Sequence, residues 1–224
     1  MSRQKIVGVI FSRADLHRAL RLRKPPDLFE LRLDGLLNCF DELRDAAGRL
    51  SAPLIVTARE PREGGANNLR TTQRRALLFE FLPHARYVDV ELRSAEALRA
   101  VLQTAAQRKV ETIISFHDLQ TTSPLSQLDK IAERARSLGA AIVKIATRTD
   151  TRPQLDTLLE FFARQSGASD LAAMGIGRLG RTARLELARR GSVLNYAHLG
   201  VPAAAGQLSI RELLRFADGA STVS

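Results

Sequence analysis

Short apolar runs alternate with amphipathic stretches from one end of this chain to the other. The runs are Lys5–Phe11, Leu28–Asp34, Leu54–Arg59, Tyr87–Leu92, Thr112–Asp118, Ala141–Thr147, Asp170–Ile176 and Val193–Leu199. Their length and their Val, Ile or otherwise apolar content predict buried strands. Between them the apolar spacing turns helical, over Ala14–Leu22, Phe40–Leu50, Thr72–Leu82, Ala95–Gln107, Ser126–Leu138, Arg152–Phe162, Arg181–Arg189 and Ser209–Phe216. Punctuation agrees with this. Ser209 and Glu212 have capping-box spacing, Pro124 and Pro153 lie near helix starts, and Gly139 and Gly191 follow helix ends. Alternating strands and helices imply a parallel sheet. Eight such units predict a closed (β/α)8 TIM barrel, an α/β fold, as a single domain over residues 1–224. The alternative is an open doubly wound sheet, but no Gly-x-Gly-x-x-Gly turn follows the first strand.

The polar residues that interrupt the strands carry the functional signal. Barrel strands fill a packed interior and are expected to be apolar. Here they end in Glu30-Leu-Arg32-Leu-Asp34, Thr57-Ala-Arg59, Asp89-Val-Glu91 and Ser115-Phe-His117-Asp118. A spacing of two puts each alternating set on one face of its strand, pointing into the barrel near its C-terminal mouth. Barrel active sites are built there. One pair, such as Arg32 with Asp34 or Glu91, reads equally well as structural closure. Two arginines, four acids, a histidine and a lysine exceed what closure needs.

The lysine is Lys144, in Ala141-Ala-Ile-Val-Lys-Ile-Ala-Thr147. A buried amine is costly unless it is neutral, paired or reacting. Apolar burial disfavours the ammonium, and a neutral amine forms Schiff bases with carbonyls. The alternative is a lysine that snorkels from a strand end or pairs with a buried carboxylate. His117, on the neighbouring strand, is the natural general base. Glu63, in the loop after the third strand, is an acid able to reach His117 and raise its basicity.

Composition narrows the picture. Of 34 Lys+Arg only five are lysine, so Lys144 stands out in a chain that otherwise writes arginine. The formal charge of +10 suggests a nucleic-acid partner. However, the arginines scatter along helices (Arg44, Arg49, Arg74, Arg75, Arg99, Arg189, Arg190), as on a solvated surface. No basic tail or aromatic interleaving accompanies them, so the expectation is no nucleic acid but a field that draws in a small anion. No run is long and apolar enough for a bilayer, and the N-terminus lacks signal-peptide form. A single cysteine, Cys39, permits no intramolecular disulfide or cysteine metal cluster. No membrane, no metal site and a cytoplasmic setting are expected.

Together these residues resemble the type I 3-dehydroquinate dehydratases over nearly the whole chain. The resemblance rests on Glu30-x-Arg32-x-Asp34, Thr57-x-Arg59 with Glu63-Gly-Gly, Asp89-x-Glu91, Ser115-x-His117-Asp118, Lys144-Ile-Ala146, Gly177-x-x-Gly180-x-x-x-Arg184 and Ala205-Gly206-Gln207. It implies dehydration of 3-dehydroquinate to 3-dehydroshikimate in the shikimate pathway. Lys144 would form an iminium at the C3 ketone, His117 would take the C2 proton and assist loss of the C1 hydroxyl, and Glu63 would orient His117. Arg184 and Gln207 would hold the substrate carboxylate. Glu30, Arg32 and Arg59 would hold hydroxyls and set the lysine's surroundings, with cations such as Arg32 favouring its neutral form. No cofactor is implied, since the iminium serves as electron sink. Family members are often dimers, which makes a homodimer the carried-over expectation. The chain departs from the family pattern at Ala203, Ala183, Ile176 with Met174, and Gly8, all expected to trim substrate binding. The competing readings are an aldolase-like Schiff-base lyase for a small anionic keto compound, and a catalytically idle relative.

Overall fold

The computed structural model describes residues 4–220, with side chains to Phe216. The first three residues of the N-terminal stretch judged for a signal sequence, and residues 221–224 of the single-domain expectation, lie outside the described residues. The strands are β1 (Lys5–Ile10), β2 (Leu28–Arg32), β3 (Leu54–Thr57), β4 (Ala85–Glu91), β5 (Glu111–Asp118), β6 (Ile142–Arg148), β7 (Asp170–Ile176), β8 (Leu194–His198) and β9 (Leu208–Ser209). The helices are α1 (Arg13–Leu20), α2 (Phe40–Ala47), α3 (Thr71–Phe81), α4 (Arg99–Gln107), α5 (Leu125–Ser137), α6 (Arg152–Gln165), α7 (Gly180–Arg189) and α8 (Ile210–Ala220). All strand pairs are parallel, in the order β7-β6-β5-β4-β3-β2-β1-β8-β9. The predicted alternation and the barrel architecture therefore hold.

The sheet curls until β7 and β8 meet, but no regular ladder joins them. Val193 donates its N–H to the Leu171 carbonyl at 3.1 Å. Ser192 Oγ accepts from the Ala173 N–H at 3.1 Å. The seam is thus stitched rather than laddered.

Side chains alternate as a period of two requires. Outward residues such as Leu31, Val56, Val90, Ile114, Val143 and Ile145 pack with Leu78, Leu98, Leu128 and Leu158 from the helices. Inward residues Val7, Leu28, Ile55, Tyr87, Ile113, Ile142, Ala172 and Leu194 form a second apolar cluster, the barrel floor. Later positions on the same inward faces become ionic towards the mouth, so the floor excludes water beneath the site.

Several boundaries differ from expectation. The strand read as Leu28–Asp34 stops at Arg32, because Leu33–Gly35 forms a 3-10 turn. The strand read as Leu54–Arg59 stops at Thr57. The helix read from Ala95 begins at Arg99, after a 3-10 turn at Leu92–Ser94. The short β9 beside β8 was not expected; two residues carry too little periodicity to be read. Ser209 and Glu212 form the predicted box, with the Ser209 N–H donating to Glu212 Oε2 at 2.8 Å. Gly139 and Gly191 adopt positive φ at their helix ends.

Candidate active site

Lys144 lies on the inward face of β6, 3% exposed. Its Nζ donates to Asp89 Oδ2 at 2.8 Å and to Glu30 Oε1 at 3.4 Å, from β4 and β2. It also sits 4.1 Å from the centre of the Tyr196 ring on β8, a cation–π contact. Of the options for a buried amine, this one is paired. Arg59, from the end of β3, locks the acids around it. It reaches both Asp89 oxygens (3.2 and 2.9 Å), Glu91 Oε1 (3.0 Å) and Ser115 Oγ (2.7 Å). Burial pushes the Asp89 carboxyl up, but the Arg59 and Lys144 charges outweigh it and hold Asp89 well below the usual carboxylate range. Burial opposes the Arg59 charge too, and Asp89, Glu91 and Glu30 overcome it.

His117 follows on β5, whose Ser115 is in register with Lys144. Glu63 Oε2 accepts both the His117 backbone N–H and the ring Nδ1, each at 2.9 Å. A carboxylate on Nδ1 assigns the ring proton there and leaves Nε2 as the basic nitrogen. Glu63, expected in a loop, is buried within the 3-10 turn Pro61–Glu63. Burial pushes its carboxyl up to about 7, aided by Glu91 and opposed by Arg59. The basicity expected of His117 beside Glu63 is outweighed by its other surroundings. Burial, then the charges of Arg59 and Lys144, drive His117 well below the ordinary imidazole value. The imidazole is therefore neutral at physiological pH, and its protonated form is a stronger acid than an ordinary imidazolium.

Across the mouth, Arg184 on α7 donates Nε to the Gly175 carbonyl at 3.1 Å and Nη1 to the Tyr196 carbonyl at 3.5 Å. It bridges the open β7–β8 seam. It is 7% exposed and has no ion-pair partner among the described residues. Burial alone lowers its pKa to about 10. Gln207 Oε1 accepts the Ala203 N–H at 2.8 Å, which ties the loop over the seam.

Glu30, Arg32, Arg59, Glu63, His117, Lys144, Arg184 and Gln207 all border one cavity of about 320 Å³. All the expected site residues are therefore brought together. Asp34, Glu91 and the strand-end Asp118 do not border it. Asp34 leaves the strand face in its 3-10 turn and accepts Arg32, the Arg59 N–H (3.1 Å) and the Ala66 N–H (2.9 Å), so it anchors the following loop. Asp118 accepts the Gln120 and Thr121 N–H groups at 3.0 Å and shapes a turn. Glu91 lies behind Arg59, between it and Arg74.

Arg74 is the clearest correction. Counted with the solvated arginines, it is 1% exposed. It contacts Glu91, the Ala58 carbonyl (2.7 Å), Glu60 (2.6 Å) and Ser94 (3.1 Å). Its spacing with Leu78 and Phe81 on the buried face of α3 was the available signal. Tyr196 was also missed. It lines the cavity, its hydroxyl is buried without a partner, and its inward parity with Leu194 was the clue. Among the departures, Ala203, Met174 and Ile176 border the cavity. Gly8 does not. A side chain there would meet Pro26, Phe29 and Leu199 on the outside, which corrects its assignment to substrate binding. Ala183 is fully buried and packs by Gly175, so it too lies off the cavity.

Among the described residues no group of three His, Cys, Asp or Glu is placed to hold a metal, and no helix is long and apolar enough to cross a membrane. The arrangement offers covalent amine chemistry with a neutral base beside it and an anion site opposite.

Residues 11–218 match the family model described as type I 3-dehydroquinase. The 3-dehydroquinate dehydratase of Thermococcus gammatolerans is 32% identical over 212 residues, covering 93% of this chain and 95% of the relative. That of Thermodesulfovibrio yellowstonii is 29% identical over 194 residues, covering 85% and 84%. A solved type I 3-dehydroquinate dehydratase from Clostridium difficile superposes with a TM-score of 0.89 at 24% identity, covering 100% of this chain and 94% of that one.

Proposed function

The chain belongs to the type I 3-dehydroquinase family, and from that premise we propose that it dehydrates 3-dehydroquinate through a Schiff base on Lys144. The reaction is that of a hydro-lyase in the shikimate pathway, which serves aromatic amino acid biosynthesis. The observation that carries the residue roles is the juxtaposition of a carboxylate-paired lysine with a neutral, Glu63-clamped histidine on the adjacent strand.

In this reading Lys144 passes its proton to Glu30, whose carboxylate lies 3.4 Å away, while Asp89 at 2.8 Å stays ionised and holds the amine in place. The free amine adds to the C3 ketone, and water leaves to give the iminium. The iminium draws electrons from the C2–H bond, and His117 Nε2 takes that proton while Glu63 holds Nδ1–H. The resulting imidazolium, more acidic than an ordinary one, returns the proton to the departing C1 hydroxyl, which leaves as water. Hydrolysis of the iminium releases the product and restores Lys144. One water is lost overall. Arg184 and Gln207 hold the carboxylate, the arginine gaining the counter-ion it lacks. Arg32 and Arg59 hold hydroxyls and keep the acids in place. No organic cofactor or metal has a step in this scheme. An aldolase-like reaction would leave the Glu63–His117 clamp without a role.

Borohydride reduction in the presence of 3-dehydroquinate tests the proposal. The expected result is a stable adduct located on Lys144 by peptide mass, absent from Lys144→Ala, which also loses turnover. Substantial turnover by a folded Lys144→Ala protein would overturn the iminium route. A cytoplasmic homodimer belongs to the same proposal, and sedimentation velocity tests the dimer.

A further inference from the structure

The Glu63 carboxylate has one oxygen engaged by His117 and one that is not. The second, Oε1, is buried and makes no aligned hydrogen bond. Arg93 Nε lies 3.0 Å from it as an ion pair. Arg93 belongs to the 3-10 turn Leu92–Ser94 that follows β4, and its side chain is 46% exposed. It borders an outer groove with Arg99 and Arg134, not the substrate cavity.

We propose that Arg93 is a positioning residue for the dehydration, holding Glu63 ionised from outside the cavity so that His117 keeps its proton on Nδ1 and presents a bare Nε2. This rests on the Glu63–His117 reading above. The charged groups facing Glu63 are Arg59 from the end of β3, Glu91 from the end of β4, His117 from β5, and Arg93; Arg32 donates to the next residue's carbonyl, that of Gly64, at 3.2 Å. Arg59 is already taken up by Asp89, Glu91 and Ser115. Among the described residues Glu63 is the ion-pair partner of Arg93, with Glu96 in the same outer groove. Burial and Glu91 push Glu63 up to about 7, against Arg59, the His117 N–H and Arg93. A carboxylate balanced at neutral pH responds to the loss of one cation. His117, held well below its ordinary value, titrates lower and does not mask this response.

The test is the pH profile of kcat and kcat/KM for Arg93→Gln, Arg93→Lys and Glu63→Gln. Protonation of Glu63 removes the negative charge that supports the imidazolium formed when His117 takes the proton, so activity falls as pH drops through about 7. Arg93→Gln is expected to move this acidic limb up by about one pH unit. At pH 6 that is roughly a tenfold loss of kcat, with KM and the alkaline plateau unchanged. Arg93→Lys keeps the charge and restores most of the limb. An unmoved limb in Arg93→Gln, or a loss equal at all pH values, overturns the inference if Glu63→Gln does abolish the limb. If Glu63→Gln leaves the limb in place, the Glu63–His117 reading falls, and the role of Arg93 falls with it.

Discussion

Along β2 to β6 the buried charges of the mouth answer one another, whereas at the β7–β8 seam a buried guanidinium has only backbone carbonyls. On the first side Glu30, Asp89 and Glu91 surround Lys144 and Arg59, with Arg74 behind. On the second, Arg184 touches Gly175 and Tyr196 carbonyls. The first side is complete without substrate. Its hydrogen bonds hold the reacting amine and base in position before anything binds, which is where preorganisation is most useful. The second side is incomplete, and an anionic ligand supplies what it lacks. The chain thus separates geometry for chemistry from affinity for charge.

Four variants sharpen or break that contrast. His117→Ala is expected to have the largest effect, cutting turnover by about 10²–10⁴. Borohydride should still trap the Lys144 adduct, because the amine's carboxylate partners remain. Near-normal turnover would move the base elsewhere. Glu91→Ala leaves Arg59 and Arg74 buried without a shared counter-ion, so urea unfolding is expected to show a loss of about 3–5 kcal/mol. Arg184→Met is the opposite case. Removing a buried, unpaired cation should leave the unliganded Tm unchanged or raised, while KM rises roughly 10–100-fold through a lost charged contact. A large loss of Tm instead would make Arg184 a structural stitch of the seam.

Glu63→Gln comes last, with an effect on stability that depends on pH. The folded value of about 7 exceeds the ordinary 4.5. The folded state therefore binds the proton more tightly, and this contribution to stability is full below pH 4.5 and lost as pH rises through about 7. A glutamine mimics the neutral form at every pH. The variant should be about 2–3 kcal/mol more stable than the parent at pH 8 and equal to it at pH 4, read by urea titration at both values. No difference at pH 8 would mean that Glu63 is not held at such a cost.

Much of this was legible because strands and helices announce themselves locally. Lys144, His117, Arg59 and Glu30 stood out as charges at inward positions of apolar strands, and all four line the cavity. Asp34 had the same parity, and Asp118 the opposite one, but both fell where the strand gives way to a turn, and backbone N–H groups claimed them. Parity shows the facing of a side chain only while the strand lasts. Arg74 was misplaced for a related reason. A lone arginine on a helix reads as surface, and only the acids brought to it from the segment after β3 and from β4 permit its burial.

By itself the sequence determined the alternation of eight strand–helix units, the inward face of each strand, and the chemical kinds gathered at the mouth. These follow from periods of two and 3.6, which are short-range properties of the chain. The pairing of charges was decided by tertiary structure alone. Lys144 meets Glu30 across 114 residues of sequence and Asp89 across 55. Closure of the sheet sets those distances, and through-space distance and burial set the sign of each shift. That is why Glu63 could be foreseen beside His117, while the fall in the basicity of His117 could not: the cations Arg59 and Lys144, and the exclusion of water, enter only once the barrel is closed.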